Sequence, residues 1–272
     1  GQSSPNPILS TIEYFYDEVL RGVPGQQAME RDASQRNIPG GDIDFIPPQA
    51  GHDVVLTIDT VIQYLAETHI RKAVIETKSE RGLALVMNPT TGEILANAIY
   101  PTFDPNYFQD FSMERRRNVA ITDQYEPGST FKFVTAAASI DLGLTDNVRT
   151  FDSGSAWEVG GGIVRNSDGR VFGNISFLEA MERSDNITFA KLSVEMGPAR
   201  FLPYIQGFGF GRRLGVDFPG EISGSVLSPT RTSETLQWAN MGFGQGIAVT
   251  PLQLVNAIAT IANGGTLMKP YF

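Results

Sequence analysis

Residues 125–143 read YEPGSTFKFVTAAASIDLG. Pro127-Gly128 forces a turn and the run beyond it is rich in alanine, so a helix is predicted from about Ser129 to Gly143. Ala136, Ala137 and Ala138 allow a second helix to pack closely on it. Ser129 and Lys132 are three apart, which stacks them on one face and brings the amine within reach of the hydroxyl. The positive end of the helix favours an alkoxide or oxyanion there. A serine hydroxyl is a poor nucleophile until a base takes its proton, and Lys132 is the only base nearby in sequence. Its pKa would have to fall from about 10.4 to near 7, a cost of about 4–5 kcal/mol. Burial among apolar groups lowers a lysine by ~3–5 units, and Phe131, Phe133 and Val134 are candidates for such surroundings. With 18 serines and 5 lysines in 272 residues, chance supplies roughly 0.3 S-x-x-K pairs. The spacing alone therefore leaves a second reading open, with Ser129 a helix cap and Lys132 solvated.

A second short stretch, Ser184-Asp185-Asn186, separates two helical runs, SFLEAMERS and ITFAKLSVEM. An S-x-N triplet is expected about 0.9 times by chance, and Ser4-Pro5-Asn6 is another match. One reading is a helix cap in a helix–helix turn. The other places Ser184 and Asn186 on the same side of an extended turn, Ser184 relaying a proton and Asn186 holding a substrate amide.

Working outward, DVVLTID (53–59) alternates and is β-branched, which predicts a strand. Asp59 or Thr60 caps a helix running to about Lys78. GLALVMNP and GEILANAIY are two strands around the turn at 88–92. Thr250-Pro251-Leu252-Gln253 has the capping-box pattern of a last helix, stopped at Gly264 and Gly265. Residues 152–175 are Gly-rich with strand fragments, and the segment after LPYIQGFGFG is irregular to about Ser233. Before residue 53, SPNPILS is loop-like and STIEYFYDEVLRG is predicted as one short helix stopping at Gly22. The Gly- and Pro-dense run that follows has room only for short strands. These elements together predict an α+β fold, an antiparallel sheet packed against helices.

The bulk numbers narrow the function. A net charge of −9 argues against a nucleic-acid partner. No cysteine is present, so disulfides and thiolate metal sites are excluded. No apolar run reaches the ~18 residues of a membrane span. The chain begins with Gly1 and carries no signal peptide, which is expected of a piece of something longer. His52 and His69 lie far apart without a metal-ligand pattern, and no metal or cofactor is expected. Arg115, Arg116 and Arg117 read as a solvated face or as a lining for the approach to the site. The glycines of 207–211 read as a tight turn, since no G-x-G-x-x-G opens a helix there. Trp157 and Phe172 border a substrate groove or pack in the core.

YEPGSTFK, SDN 55 residues later and GFGQGIAVTPLQLVNAIATIANGG resemble, in order, a class B penicillin-binding protein, the division- or sporulation-type peptidoglycan D,D-transpeptidase. YDEVLRGVPG, DVVLTIDTVIQYLAE and VMNPTTGEILANAIYPTFDPN resemble the same family, so the likeness covers about residues 10 to 271. It implies the fold shared with serine β-lactamases, an antiparallel sheet with helices plus an all-helical subdomain. Residues 53–272 would be the transpeptidase domain, and 1–52 the tail of a preceding pedestal. The resemblance implies Ser129 as acylated nucleophile, Lys132 as its base, Ser184 as the proton relay to departing D-alanine and Asn186 as peptide binder. The Ser129 N–H would be half of the oxyanion hole. The implied substrate is a D-Ala-D-Ala peptidoglycan stem peptide, with β-lactam antibiotics as acylating mimics. Implied partners are a glycan polymerase and membrane proteins of the division machinery. The implied location is the outer face of the cytoplasmic membrane, anchored by an N-terminal helix outside this chain. One departure matters: none of the five lysines is followed by the [ST]-G of the family's third motif, K-[ST]-G. The site is therefore expected to be incomplete in these residues, the missing motif lying beyond residue 272 or on another polypeptide. Two other readings stay open, a serine β-lactamase or D,D-carboxypeptidase of the same fold, and a non-catalytic β-lactam-binding scaffold.

Overall fold

The computed structural model describes residues 11–29, 43–226 and 234–272. The chain divides into two units, Gly1–Leu56 with Asp217–Pro219, and Thr57–Val216 with Gly220–Phe272. The loop-like reading of residues 4–10, the Ser4-Pro5-Asn6 match and the end of the irregular segment before Ser233 lie outside the described residues.

In the first unit the expected single helix is two short turns, α1 (Ile12–Phe15) and α2 (Asp17–Leu20). Tyr16 interrupts them with non-helical backbone, and its hydroxyl donates to Asp217 Oδ2 at 2.6 Å. That carboxylate and burial hold the phenol up at about 12. Strands β1 (Gln26–Met29) and β2 (Ile43–Ile46) pair antiparallel.

In the second unit α3 (Thr60–Thr77) starts at Asp59, whose carboxylate accepts from the N–H groups of Val61 and Ile62. It ends at Lys78 in the left-handed conformation. β3 (Gly82–Met87) and β4 (Ile94–Tyr100) form the expected hairpin. Ile94, Ala96 and Ala98 of β4 are buried, and a Cβ on Gly82 would lie 2.5 Å from Val74 of α3, so the glycine is what lets the helix sit down on the strand. Residues 53–59, expected as a strand, are not one. Thr57 Oγ1 donates to the Ile94 carbonyl at 2.7 Å, and the segment's backbone reaches β4 through the Asp59 N–H to Leu95 O. The β-branched residues fit an extended backbone, but a side chain takes a carbonyl that a ladder would use.

The helical part follows. α4 (Met113–Arg116) and α5 (Val119–Thr122) are single turns. The predicted helix at 129 is a 3₁₀ turn, Gly128–Phe131, running into α6 (Lys132–Asp141). β5 (Thr150–Ser153), β6 (Trp157–Val159), β7 (Gly162–Val164) and β8 (Gly173–Ser176) make two small antiparallel pairs, β5 with β8 and β6 with β7. Ser176 and Glu179 form a capping box on α7 (Phe177–Glu182). α8 (Asn186–Gly207) is capped by Asp185 and broken at Gly197, before Pro198. β9 (Ser225–Val226) pairs with β10 (Ile247–Ala248) on either side of α9 (Thr235–Met241). α10 (Pro251–Ala262) has the predicted Thr250–Gln253 capping box. Among the described residues every sheet is two-stranded and antiparallel. Phe131 and Val134, flanking Lys132, pack with Met196, Phe201, Ile205, Phe210 and Trp238, which anchors α6 on α8 and α9.

Candidate active site

A 3₁₀ turn has three residues per turn, so positions i and i+3 eclipse. Gly128–Phe131 is such a turn, and it lays Lys132 directly beside Ser129, with Nζ 3.2 Å from the serine Oγ. The amine also lies 2.6 Å from the Ser184 carbonyl, 3.0 Å from Ser184 Oγ and 2.8 Å from Asn186 Oδ1. All four residues singled out in the sequence thus meet at one nitrogen. Lys132 is 2% exposed, whereas both serines face solvent.

Every one of those partners is neutral. Burial therefore pushes the amine down to about 8, and Asp185 opposes the shift by Coulomb attraction. Of the three residues expected to supply apolar surroundings, Phe131 and Val134 are buried. Phe133 is 49% exposed, and the ring near the amine is that of Phe189, 5.7 Å from Nζ. Phe189 sits on α8 one turn past Asn186, a relation invisible along the chain.

The corner at 184–186 is held from beneath. Ser184 is in the left-handed region (φ 54°), a conformation that costs a non-glycine residue about 1–3 kcal/mol and aims its carbonyl at Lys132. Asn186 is the first residue of α8 rather than part of an extended turn. Asp185, fully buried, accepts from Thr188 N–H at 2.6 Å and from Ser153 Oγ at 2.5 Å. Asn166, also buried, donates to Ser153 Oγ and accepts from the Asn186 N–H at 2.7 Å. Asn186 Nδ2 donates to the Arg165 carbonyl at 3.0 Å, which turns its oxygen toward Lys132. Sequence reasoning missed Ser153, Arg165 and Asn166, and gave Asp185 no role. The Gly-rich texture around 153–166 offered no periodic signal to find them.

The turn that carries Ser129 is stitched to a distant loop. Tyr125 and Val249 exchange backbone hydrogen bonds, and Gly128 N–H donates to Gly244 O. Glu126 Oε1 accepts from Gly246 N–H at 2.8 Å. A Cβ on Gly244, where φ is +81°, would lie 2.1 Å from the Gly128 carbonyl oxygen.

The other flagged residues stand elsewhere. Trp157 and Phe172 are half-buried against the β5–α8 core, with Lys191 Nζ 5.8 Å from the indole and the Arg183 guanidinium 5.4 Å from the phenyl ring. Arg117 pairs with Asp123, Arg115 donates to the Thr102 carbonyl, and the Arg116 guanidinium stands 5.6 Å from the Phe108 ring. His52 and His69 are exposed. Gly209 and Gly211 have positive φ in the turn after α8, as the tight-turn reading requires.

Residues 82–272 match the family described as the penicillin binding protein transpeptidase domain. Stage V sporulation protein D of Bacillus subtilis is 35% identical over 269 residues, which cover 98% of this chain and 41% of the relative. The peptidoglycan D,D-transpeptidase FtsI of Escherichia coli K12 is 30% identical over 254 residues, 93% of this chain and 42% of the relative. Among solved structures, penicillin binding protein 3 of Mycobacterium tuberculosis complexed with ampicillin superposes with a TM-score of 0.82 at 29% identity, covering 97% of this chain and 54% of that one. The chain thus spans about half the length, or less, of these proteins.

Proposed function

The chain belongs to the penicillin-binding protein transpeptidase family, and from that premise we propose that it carries the nucleophile half of a peptidoglycan D,D-transpeptidase site. One observation supports this above all others: a buried lysine amine 3.2 Å from Ser129 Oγ, ringed by neutral acceptors. The neutral amine has two hydrogens. The Ser184 carbonyl and Asn186 Oδ1, the two shortest partners, take them, and the lone pair is left for the Ser129 hydroxyl. Ser129 Oγ attacks the carbonyl carbon of the penultimate D-alanine as its proton passes to Nζ. The ammonium so formed has a third hydrogen, and Ser184 Oγ at 3.0 Å is placed to receive it and pass it to the amine of the departing D-alanine. Asn186 uses its remaining N–H on a substrate carbonyl. The acyl-serine is then resolved by the amine of a neighbouring stem peptide. β-Lactams enter the same route as far as the acyl-enzyme.

The remaining assignments go with that substrate. Residues 1–52 are assigned to the tail of a pedestal domain, and 53–272 to the transpeptidase domain. The protein works at the outer face of the cytoplasmic membrane beside a glycan polymerase and division proteins. Among the described residues no helix is long and apolar enough to cross a membrane.

A fluorescent penicillin incubated with the full-length protein, followed by intact mass and peptide mapping, tests the reading. A stable adduct on Ser129 is expected. Rapid release of the label points to a β-lactamase or carboxypeptidase, and no adduct points to a scaffold.

A further inference from the structure

The four residues around the Lys132 amine come from two segments, and something must hold the second against the first. Ser184 and Asn186 face solvent or are half-buried, and Ser184 is conformationally strained. What stands behind them is a buried polar chain contributed by another part of the fold. Asp185, 0% exposed, accepts from Ser153 Oγ, and Ser153 in turn accepts from Asn166 Nδ2 at 3.0 Å. Asn166, 6% exposed, also donates to the Arg170 carbonyl at 3.3 Å and accepts from the backbone N–H of Asn186 at 2.7 Å. Its neighbour Arg165 takes the Asn186 amide hydrogen on its carbonyl. A primary amide has two donors and one acceptor oxygen, and at position 166 all three directions are used. A carboxylate lacks the donors, a serine lacks the reach, and an apolar residue leaves the half-buried N–H of Asn186 and the buried Ser153 hydroxyl short of partners.

We infer that Asn166 is a positioning residue for the Ser129 reaction: with Ser153 and Asp185 it fixes the start of α8, so that the Asn186 amide points its oxygen at the Lys132 amine and its free N–H into the cleft. This rests on the acyl-serine reading above and deepens it. Asn166 acts through Asn186. Its loss lets the amide swing away from Nζ, and the amine loses one of the two acceptors that orient its lone pair on Ser129. Misplacement on the scale of 1 Å costs an enzyme up to about a hundredfold.

A double-mutant cycle on the full-length protein tests this, with the second-order rate of Ser129 labelling by a fluorescent penicillin as the readout and melting temperature followed alongside. Asn166→Ala is expected to slow labelling by about tenfold to a hundredfold in the unmutated background. In an Asn186→Ala background, where the amide to be aimed is gone, most of that factor is expected to vanish. Should Asn166→Ala fail to fold, Ser153→Ala breaks the same chain one link away with a smaller deletion, and the same loss of effect is expected beside Asn186→Ala. An equal factor in both backgrounds marks Asn166 as a general support of the fold and overturns the inference alone. No label on Ser129 in the unmutated protein removes the acyl-serine reading and this inference with it.

Discussion

Two groups of cations in this protein are built in opposite ways. Lys132 is buried and surrounded by neutral oxygens, with Asp185 acting on it by Coulomb attraction. Arg81 and Arg117 lie partly exposed among carboxylates, Arg81 3.4 Å from Glu114 and 3.5 Å from Asp123, and Arg117 2.7 Å from Asp123. By a count of ion pairs the arginine cluster is the stronger electrostatic feature. Physically the ranking reverses. Water and salt screen the exposed pairs, whereas the buried amine is brought close to the pH at which it can give up its proton. Chemistry is expected where a charge is made costly, and little energy where it is made comfortable.

The contrast can be tested from its strongest term down. Ser129→Ala is expected to abolish covalent labelling by penicillin, and Lys132→Ala to slow it by roughly a thousandfold, within the range typical of a lost general base. A Lys132 variant that labels at the normal rate would place the base elsewhere and dissolve the distinction. Next comes the loop that holds the serine. Gly244→Ala puts a Cβ 2.1 Å from a backbone oxygen at a φ of +81°, and a loss of about 3 kcal/mol is expected in chemical denaturation.

The pH dependence is a smaller and more diagnostic effect. With the neutral amine as the proposed base, labelling is expected to rise about tenfold per pH unit up to about 8 and then level off. The same group tilts stability. Its folded pKa lies below the ordinary 10.5, so between about 8 and 10.5 the folded chain binds fewer protons than the unfolded one and grows more stable as pH rises. Lys132→Met is expected to flatten that slope in melts taken across the window. Smallest of all, Arg117→Ala is expected to cost under about 1 kcal/mol, and less in high salt, because its pair with Asp123 is 45% and 35% exposed.

The sequence made the local parts of this fold legible. Asp59, Thr250 with Gln253, and the glycines at 143 and 264 are start and stop signals that act within one turn of the chain, and the helices end where they say. Ser129 and Lys132 were readable for the same reason, although the turn joining them is 3₁₀ rather than α. The strand expected at 53–59 failed because the Thr57 hydroxyl takes the Ile94 carbonyl that a ladder would use, and β-branched composition says nothing of such a competitor. The likeness to a family brought Ser184 and Asn186 to the site. The support beneath them stayed hidden, because Ser153, Asn166 and Asp185 meet across 13 and 32 residues of intervening chain. Hydrogen bonds of that span leave no period, cap or breaker to read.

The stitching of Tyr125 to Val249 and of Gly128 to Gly244 has a topological consequence. Residues 129–243 form an excursion whose two ends are fastened together at its base, with Ser129 immediately inside the fastening. Lengthening an outlying loop of that excursion, such as the one between α6 and β5, changes the entropy of closing it only by about (3/2)RT times the logarithm of the ratio of lengths. It leaves the neck where it was. The excursion can therefore be elaborated in loops remote from the site, and sequence change that reaches Ser129 is confined to the short stretches that tie the neck and to those that support the 184–186 corner.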